Sequence, residues 1–464
     1  MIESEAAPIE PRGSFLASVN VVAMTYAVDG LLAFASGVIV ARALGPDGRG
    51  AVGLFTVSTA IAQMVLGLGF ANAAIYYVNK REMAVPEVVA AAHVITLASL
   101  VATTLAVLMT VLIAGSDALG DGVTAWLLIA AVPALMYAAT LRAVLQSTSR
   151  FMEMGIATLA QPFVMLSLVS AVYAVGNPSP SLFVIFWILS NMATALFAIT
   201  RIGAKNLDLA LIVRPRWATL RRLARFGVQG ETGNVLQLLN YRLDQYLVRA
   251  FVGLAGVGIY AVGVSLTEGV WLLANAVAIV LLPRLTAAEP DEVRWMAPLA
   301  TRNTLLVASV GAIALGVVAK WLVPAFFTHR FDASVGALWW LLPGTVALTG
   351  SKVITSYIFS QGRPFVNTLI TLASLAVTLV ALLLLVPPFG INGAAAASSV
   401  AYITHFIVAL YAYRRISGQP VLDAVVPRLS DARLYSDAAA SIISRLRRRP
   451  APLGDGADAQ RAGG

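Results

Sequence analysis

Apolar runs of membrane-spanning length recur along the whole chain and leave almost no room for a water-soluble core. Cutting the sequence at its Gly, Pro and charged punctuation leaves runs near 15–41, 51–77, 88–114, 123–146, 152–175 and 181–201. A second six follow near 226–251, 256–283, 298–323, 333–359, 364–387 and 391–413. Each reaches the roughly 20 residues that a helix needs to cross a hydrocarbon core. A transmembrane barrel would instead alternate apolar and polar residues in segments of about ten. The expected fold is therefore all-α: a polytopic membrane protein of about 12 transmembrane helices. With 59% hydrophobic and only 12% charged residues, the chain has too little polar surface to cover such segments in water.

The absence of cysteine excludes disulfides, thiolate metal sites and cysteine nucleophiles. His93, His329 and His405 lie far apart and show no metal-ligand spacing, so neither metal nor cofactor is expected. The start, 1–14, is acidic and lacks the features of a cleaved secretory signal, so the first apolar run reads as a retained span.

The net charge of +9 does not point to nucleic acid, because the basic residues follow a topological pattern. With the N-terminus inside, Lys80, Arg81, Arg142, Arg150, the cluster from Arg201 to Arg225, Arg302, Arg363 and the basic tail all fall on the cytoplasmic side. The outer loops hold only Arg42, Arg49, Arg249, Lys320 and Arg330. This asymmetry predicts a multi-pass protein of the plasma (inner) membrane with both termini cytoplasmic.

Two halves resemble each other. The hairpin sequence VARALGPDGRGAVGLF from Val40 parallels LVRAFVGLAGVGIY from Leu247, with Arg42-Ala43 matching Arg249-Ala250. QSTSRF from Gln146 parallels QGRPF from Gln361. Six spans per half predict a parallel repeat, two pseudo-twofold six-helix lobes with a path between them. The expected parts are a cytoplasmic segment 1–14, an N-lobe 15–203, a basic connector 204–225, a C-lobe 226–415 and a tail 416–464. Leu220, Leu223 and Ala224 of the connector could lie on the membrane, or the connector could be purely topogenic. The tail should place a basic amphipathic helix over 430–449 and a disordered end.

One span breaks the apolar rule. Segment 226–251 carries Glu231, Arg242 and Asp244, and Glu231, Asn234, Gln237, Tyr241 and Asp244 recur every three or four residues on one helical face. Ionisable groups at that depth mark substrate pathways more often than struts. The competing reading is that Arg242 and Asp244 only neutralise charges on neighbouring helices. Other polar groups within spans are Asn20, Asp29, Asn72, Gln161, Asn191, Glu268, Asn275 and Lys352. A cavity between the halves would be lined by Asp29, Arg242, Asp244, Glu268 and Lys352, with Arg242 and Lys352 as grips for an anionic phosphate. Asn72, Gln161 and Asn191 read as interhelical glue. Most tryptophans lie near span ends, whereas Trp271 is deeper and suits stacking on a sugar or shielding the cavity.

Taken together, ARALGPDGRGAVGLF, FGVQGETGNVLQLLNYRLDQYLV, GVGIYAVGVSLTEGVWLLANAVAIVLLPRL, YIFSQGRP and PPFGINGAAAASSV resemble the polysaccharide flippase (oligosaccharide lipid translocase) branch of the multidrug/oligosaccharidyl-lipid/polysaccharide exporter superfamily. The resemblance implies a transporter, not an enzyme, moving polyprenyl-pyrophosphate-linked oligosaccharides to the outer leaflet by alternating access. It implies membrane lipid, a polysaccharide polymerase and chain-length machinery as partners, with no nucleic acid. Arg242, Asp244 and Glu268 stand where that family keeps its polar core. The chain stops after twelve apolar runs, whereas the lipid II flippase branch commonly adds two more, which disfavours a peptidoglycan role. A cation-coupled drug antiporter of the multidrug and toxin extrusion type is the alternative. Asp29 suits it; Arg242 and Lys352 oppose it, because a cationic cavity repels cationic drugs. A membrane polymerase or glycosyltransferase would need paired catalytic carboxylates in outer loops, and Asp47, Asp117, Asp121 and Asp332 stand singly.

Overall fold

The computed structural model describes residues 12–114, 122–287, 290–428 and 431. The described residues form helices and short turns, with no strand among them. The long helices are α1 (Arg12–Leu66), α3 (Val85–Ala114), α4 (Gly122–Ser147), α5 (Phe151–Val175) and α6 (Pro180–Ile202), with a short α2 (Phe70–Asn79) after α1. A five-residue α7 (Leu209–Val213) precedes α8 (Trp217–Phe251), α9 (Leu254–Ala287), α10 (Pro290–Phe327), α11 (Ser334–Ser360), α12 (Pro364–Ser417) and the one-turn α13 (Leu422–Val425). Among the described residues, seven helices are long and apolar enough to cross a membrane. α8 is not one of them, because its charged residues lower its hydropathy. Of the tail helix expected over 430–449, every residue but Asp431 lies outside the described residues.

Glycine and proline set the punctuation. α1 breaks at Gly45 (φ 67°) and α12 at Gly390 (φ 56°), conformations that a Cβ disfavours, where the sequence ends one apolar run and begins the next. Pro46 then restarts α1 with φ already helical and no N–H to waste. Ser179 caps α6 by accepting from Leu182 N at 3.3 Å, with Pro180 following it. Pro133, Pro162 and Pro343 lie inside helices, as membrane helices tolerate when neighbours re-satisfy the freed carbonyls.

α1 to α6 pack mainly on one another, as do α8 to α12; the two groups meet where α1 crosses α9 and α2 crosses α8. The repeat is visible in the backbone. Between α4 and α5, Ser149 (φ 58°) donates to Gln146 O and Arg150 N to Leu145 O. Between α11 and α12, Gly362 (φ 70°) donates to Phe359 O and Arg363 N to Ile358 O, the same turn. Ser149-Arg150 is therefore equivalent to Gly362-Arg363, which aligns the two arginines. Gly45 similarly has a counterpart in Gly253 (φ 97°), three and four residues after Arg42 and Arg249 respectively.

The connector does not present its apolar stripe to lipid. Leu223 is fully buried in a cluster with Tyr77, Leu141 and Ala91, and Leu220 packs against the same core. Arg216 pairs with Glu87 and Arg222 with Glu82, while the Arg222 guanidinium also lies 4.7 Å from the Tyr77 ring centre. The apolar stripe of the connector thus lies in the first turns of α8, after α7, and docks on α2, α3 and α4.

The start of the tail folds back on α10. Arg302 of α10 donates from Nε and Nη2 to Asp431 at 2.5 and 2.6 Å and from Nη1 to Asp423 O at 3.2 Å, and both charged side chains are buried. The Arg302 guanidinium holds the Asp431 carboxyl below the usual carboxylate range. A depressed folded pKa means that this strap stabilises above the unfolded value of about 4 and is lost as pH falls through the lower folded value. Asp431→Asn is expected to cost about 1–3 kcal/mol at neutral pH by weakening a charged hydrogen bond in a buried pair. Thermal unfolding would show a wild-type advantage that disappears in strong acid; equal melting at pH 7 would remove the strap from the account.

Candidate functional site

α8 positions the site because it is the apolar-length helix that cannot be apolar. Its polar residues do not all point one way. Gln237 accepts from Thr371 Oγ1 at 3.0 Å, and buried Asn240 donates to Ser374 Oγ at 3.1 Å and accepts from Thr378 at 2.6 Å, all on α12. Asp244, also buried, accepts from Tyr260 Oη at 2.5 Å, Ser398 Oγ at 3.2 Å and its neighbour's amide Gln245 N at 2.8 Å. A carboxylate with three donors is well satisfied, so Asp244 ties α8 to α9 and α12.

Arg242 lies on the side of α8 that meets Glu268 of α9, with Nη2 2.9 Å from Oε1. Both remain partly accessible, with 27% and 31% of their side chains exposed. Tyr241 next to it meets Tyr402 edge-on, ring centres 5.9 Å apart, and the Lys352 ammonium stands 5.8 Å from the Tyr241 ring centre. Tyr241, Asp244, Tyr260, Glu268, Thr345 and Tyr402 line a small cleft, about 20 Å³ and roomy enough for about one water.

The sequence-predicted residues therefore separate into three places. Arg242, Glu268, Tyr241, Lys352 and Asp244 gather on α8, α9 and α11, within the second group of helices. Asn234 lies nearer the start of α8, donating to Glu231 Oε2 at 3.3 Å, and that same oxygen accepts from Asn72 of α2 at 3.0 Å. Asp29 of α1 stands within electrostatic reach of Arg142 of α4, in the first group, and does not join the cluster. The side chain of Trp271 lies outside the described residues. Gln161 bonds across to Ser190 at 3.4 Å, whereas Asn191 bonds to Trp187 O within its own helix. Buried His405 is paired through Nδ1 with Ser351 Oγ at 2.6 Å.

Arg49 was assigned to an outer loop by its position in the sequence, yet it reaches the cluster. It interacts electrostatically with both Arg242 and Glu268, and its buried Nε has no hydrogen-bond partner. Its guanidinium lies beside Gly37 and Gly53, where a Cβ on either would stand in ordinary van der Waals contact at 3.9 and 3.7 Å. Chemically, a paired Arg–Glu with a second, incompletely satisfied arginine beside it can take up an anion when the carboxylate is displaced.

The cluster is closed off at two crossings. At the Gly45 end, α1 and α9 touch backbone to backbone: a Cβ on Gly50 would meet Leu254 O at 2.0 Å, and one on Gly258 would meet Pro46 O at 2.0 Å. Arg42 fastens the same end by donating to Phe326 O and Ala325 O, carbonyls at the C-terminus of α10, at 2.6 and 2.5 Å. At the other crossing, a Cβ on Gly227 would meet Leu68 O at 2.0 Å, and Tyr76 stacks on Phe226 with ring centres 4.4 Å apart. Among the described residues no group of three His, Asp or Glu gathers to hold a metal.

No curated protein matches the chain in sequence. Solved structures do match its fold. A structure described as the lipid II flippase MurJ in an inward closed conformation superposes with a TM-score of 0.72 at 14% identity, covering 93% of each chain. A multidrug resistance MATE family transporter of the MOP superfamily superposes in its inward-facing conformation with a TM-score of 0.64 at 16% identity, over 84% of this chain and 94% of that one. Its outward-facing conformation gives 0.63 at 14%, over 86% and 95%. These likenesses show the fold, that of a multi-pass membrane protein. Residues 39–336, well over half the sequence, match the family model described as polysaccharide biosynthesis protein, and the chain belongs to that family.

Proposed function

We propose that this chain is a flippase for polyprenyl-pyrophosphate-linked oligosaccharides, working in polysaccharide assembly. The observation that carries the reading is the Arg242–Glu268 pair with Arg49 beside it, enclosed between two crossings in a protein of a polysaccharide biosynthesis family. A diphosphate is the anion that such a lipid must bring to the interior. Arg242 can bind it bidentately and Arg49 can join from α1, while Glu268 is the ground-state counter-ion that the diphosphate displaces. Lys352 adds a point charge, and Tyr241 and Tyr402 offer aromatic faces to sugar rings.

In this reading the lobes 15–203 and 226–415, of six crossings each, rock about the cluster. Separating α2 from α8 opens it to the cytoplasm, where both termini lie in the inner membrane topology. Separating α1 from α9 opens it outward, toward a polymerase. The prenyl tail stays in lipid throughout.

The test is a mass-spectrometric census of polyprenyl-pyrophosphate lipids in cells with and without the gene. One oligosaccharide-lipid is expected to accumulate in the deletion strain, which would also name the cargo. Unchanged lipids with new sensitivity to cationic compounds would instead favour the antiporter reading, and accumulation of a peptidoglycan precursor would replace the polysaccharide cargo.

A further inference from the structure

A second cavity lies on the far side of α11 from the cluster. It is a groove of about 690 Å³ between α10 and α11, far larger than the central cleft. On α10 it follows one helical stripe, Ser309, Ala312, Ile313, Gly316, Val317 and Lys320, at spacings of three and four residues. Trp339, Leu342, Pro343 and Val346 of α11 form the opposing wall. The small residues Ala312 and Gly316 give it depth. The indole of Trp339 closes the floor by donating from Nε1 to Gly316 O at 2.9 Å.

The groove has a polar end and an apolar body. Lys320 is the ionisable residue in its lining, and the ammonium stands 4.1 Å from the ring centre of Trp321. Trp321 and Trp339 are both more than half exposed, as aromatic residues at a membrane interface are. From Lys320 to Ser309 the stripe runs about 16 Å at ~1.5 Å per residue. That is close to half of a ~30 Å hydrocarbon core, the depth of one leaflet. The dimensions and the single cation match one lipid chain beneath one anionic headgroup.

We propose that this groove is a binding site for an anionic membrane phospholipid, its acyl chain along Ala312–Val317 and its phosphate on Lys320. The occupant is a resident lipid rather than the cargo, because α11 stands between groove and cluster. Leu341, Thr345 and Leu348 line the central cleft, whereas Leu342, Pro343 and Val346 line the groove. Pro343 sits in that shared wall and removes one backbone hydrogen bond from α11, so a lipid seated there presses on the helix where it yields most easily.

The experiment places the full chain in nanodiscs containing phosphatidylglycerol with a photoactivatable group in its acyl chain, followed by peptide mass spectrometry. Adducts are expected to concentrate on 309–317 and 342–346, above the level on the exposed apolar face of α5 around Phe163. Lys320→Glu should lower groove labelling about fivefold, the change that ~1 kcal/mol per basic residue near an anionic surface corresponds to. Val317→Trp, at a position 59% exposed, should fill the groove and abolish labelling there. Labelling of α5 and thermal unfolding, unchanged in both variants, report an intact fold. A phosphatidylcholine probe should label the groove about fivefold less, for the same ~1 kcal/mol. Uniform labelling of α5 and the groove, labelling indifferent to both substitutions, or equal labelling by the two headgroups would overturn the site.

Discussion

Alanine at Gly258 is expected to hold the protein open at the Gly45 end of the α1–α9 crossing, and alanine at Gly227 to hold it open at the opposite end. The added Cβ at Gly258 would meet Pro46 O at 2.0 Å and Gly50 N at 2.9 Å; at Gly227 it would meet Leu68 O at 2.0 Å. These are backbone atoms within or beside helices, so no rotamer change relieves the clash and the helices themselves must part. Overpacking of this kind costs about 1–3 kcal/mol, which on a two-state equilibrium is a shift of roughly five- to 150-fold. The cost falls only on the state in which that crossing is shut, so each substitution biases the cycle in a known direction and slows turnover. Because the chain has no cysteine, Thr267→Cys in the central cleft gives a single reporter for a membrane-impermeant maleimide. Reaction should rise from one face of the membrane with Gly258→Ala and from the other with Gly227→Ala. Gly50→Ala, across the same contact as Gly258, should reproduce the first result. Identical accessibility in all three would mean that the crossings are not gates.

Arg242→Ala is expected to reduce transport by roughly ten- to 150-fold, the worth of a charged hydrogen bond of ~1.5–3 kcal/mol. The single variant alone cannot separate gripping from bracing, because it also strands Glu268. The double variant Arg242→Ala with Glu268→Ala does so. If the arginine serves only to neutralise Glu268, removing both restores folded protein and transport. If it holds the cargo, the double variant folds as well as wild type and stays inactive. Lipid-linked oligosaccharide moved per folded protein in proteoliposomes is the measurement, with Lys352→Met alongside to weigh the second cation.

The all-helical membrane class and the repeat were legible in the sequence because both are written in single-helix patterns. Apolar length needs no partner to be read, and the arginines after Gln146 and Gln361 mark turns whose hydrogen bonds prove the same. What a helix faces is another matter. Helical spacing put Glu231, Gln237 and Asp244 on one side of α8, but it could not say that α2, α12 and α9 each meet a different length of that side. Asp29 was expected to line the same cavity as the α8 charges, yet Arg142 is its neighbour in space. Leu223 beside three arginines reads like a membrane-surface stripe until α2, α3 and α4 supply a protein surface for it. Arg49 was hidden because a tight hairpin and a long side chain carry its charge away from where its backbone sits. Reach and partner choice are tertiary facts, and periodicity does not contain them.

The mutual contact of Gly50 and Gly258 bears on where such a chain comes from. Each glycine stands against the other's backbone: Gly50 against Leu254 and Gly258, Gly258 against Pro46 and Gly50. That is the geometry of an isologous interface, in which one patch serves both partners of a dimer. In an ancestor made of two identical half-length subunits, a single codon would have furnished both sides, and any change there would have struck the dimer twice. With both halves in one chain, each side is free to vary alone. Arg42, clamping the carbonyls that end α10, shows what that freedom allows: its repeat counterpart Arg249 has been left exposed.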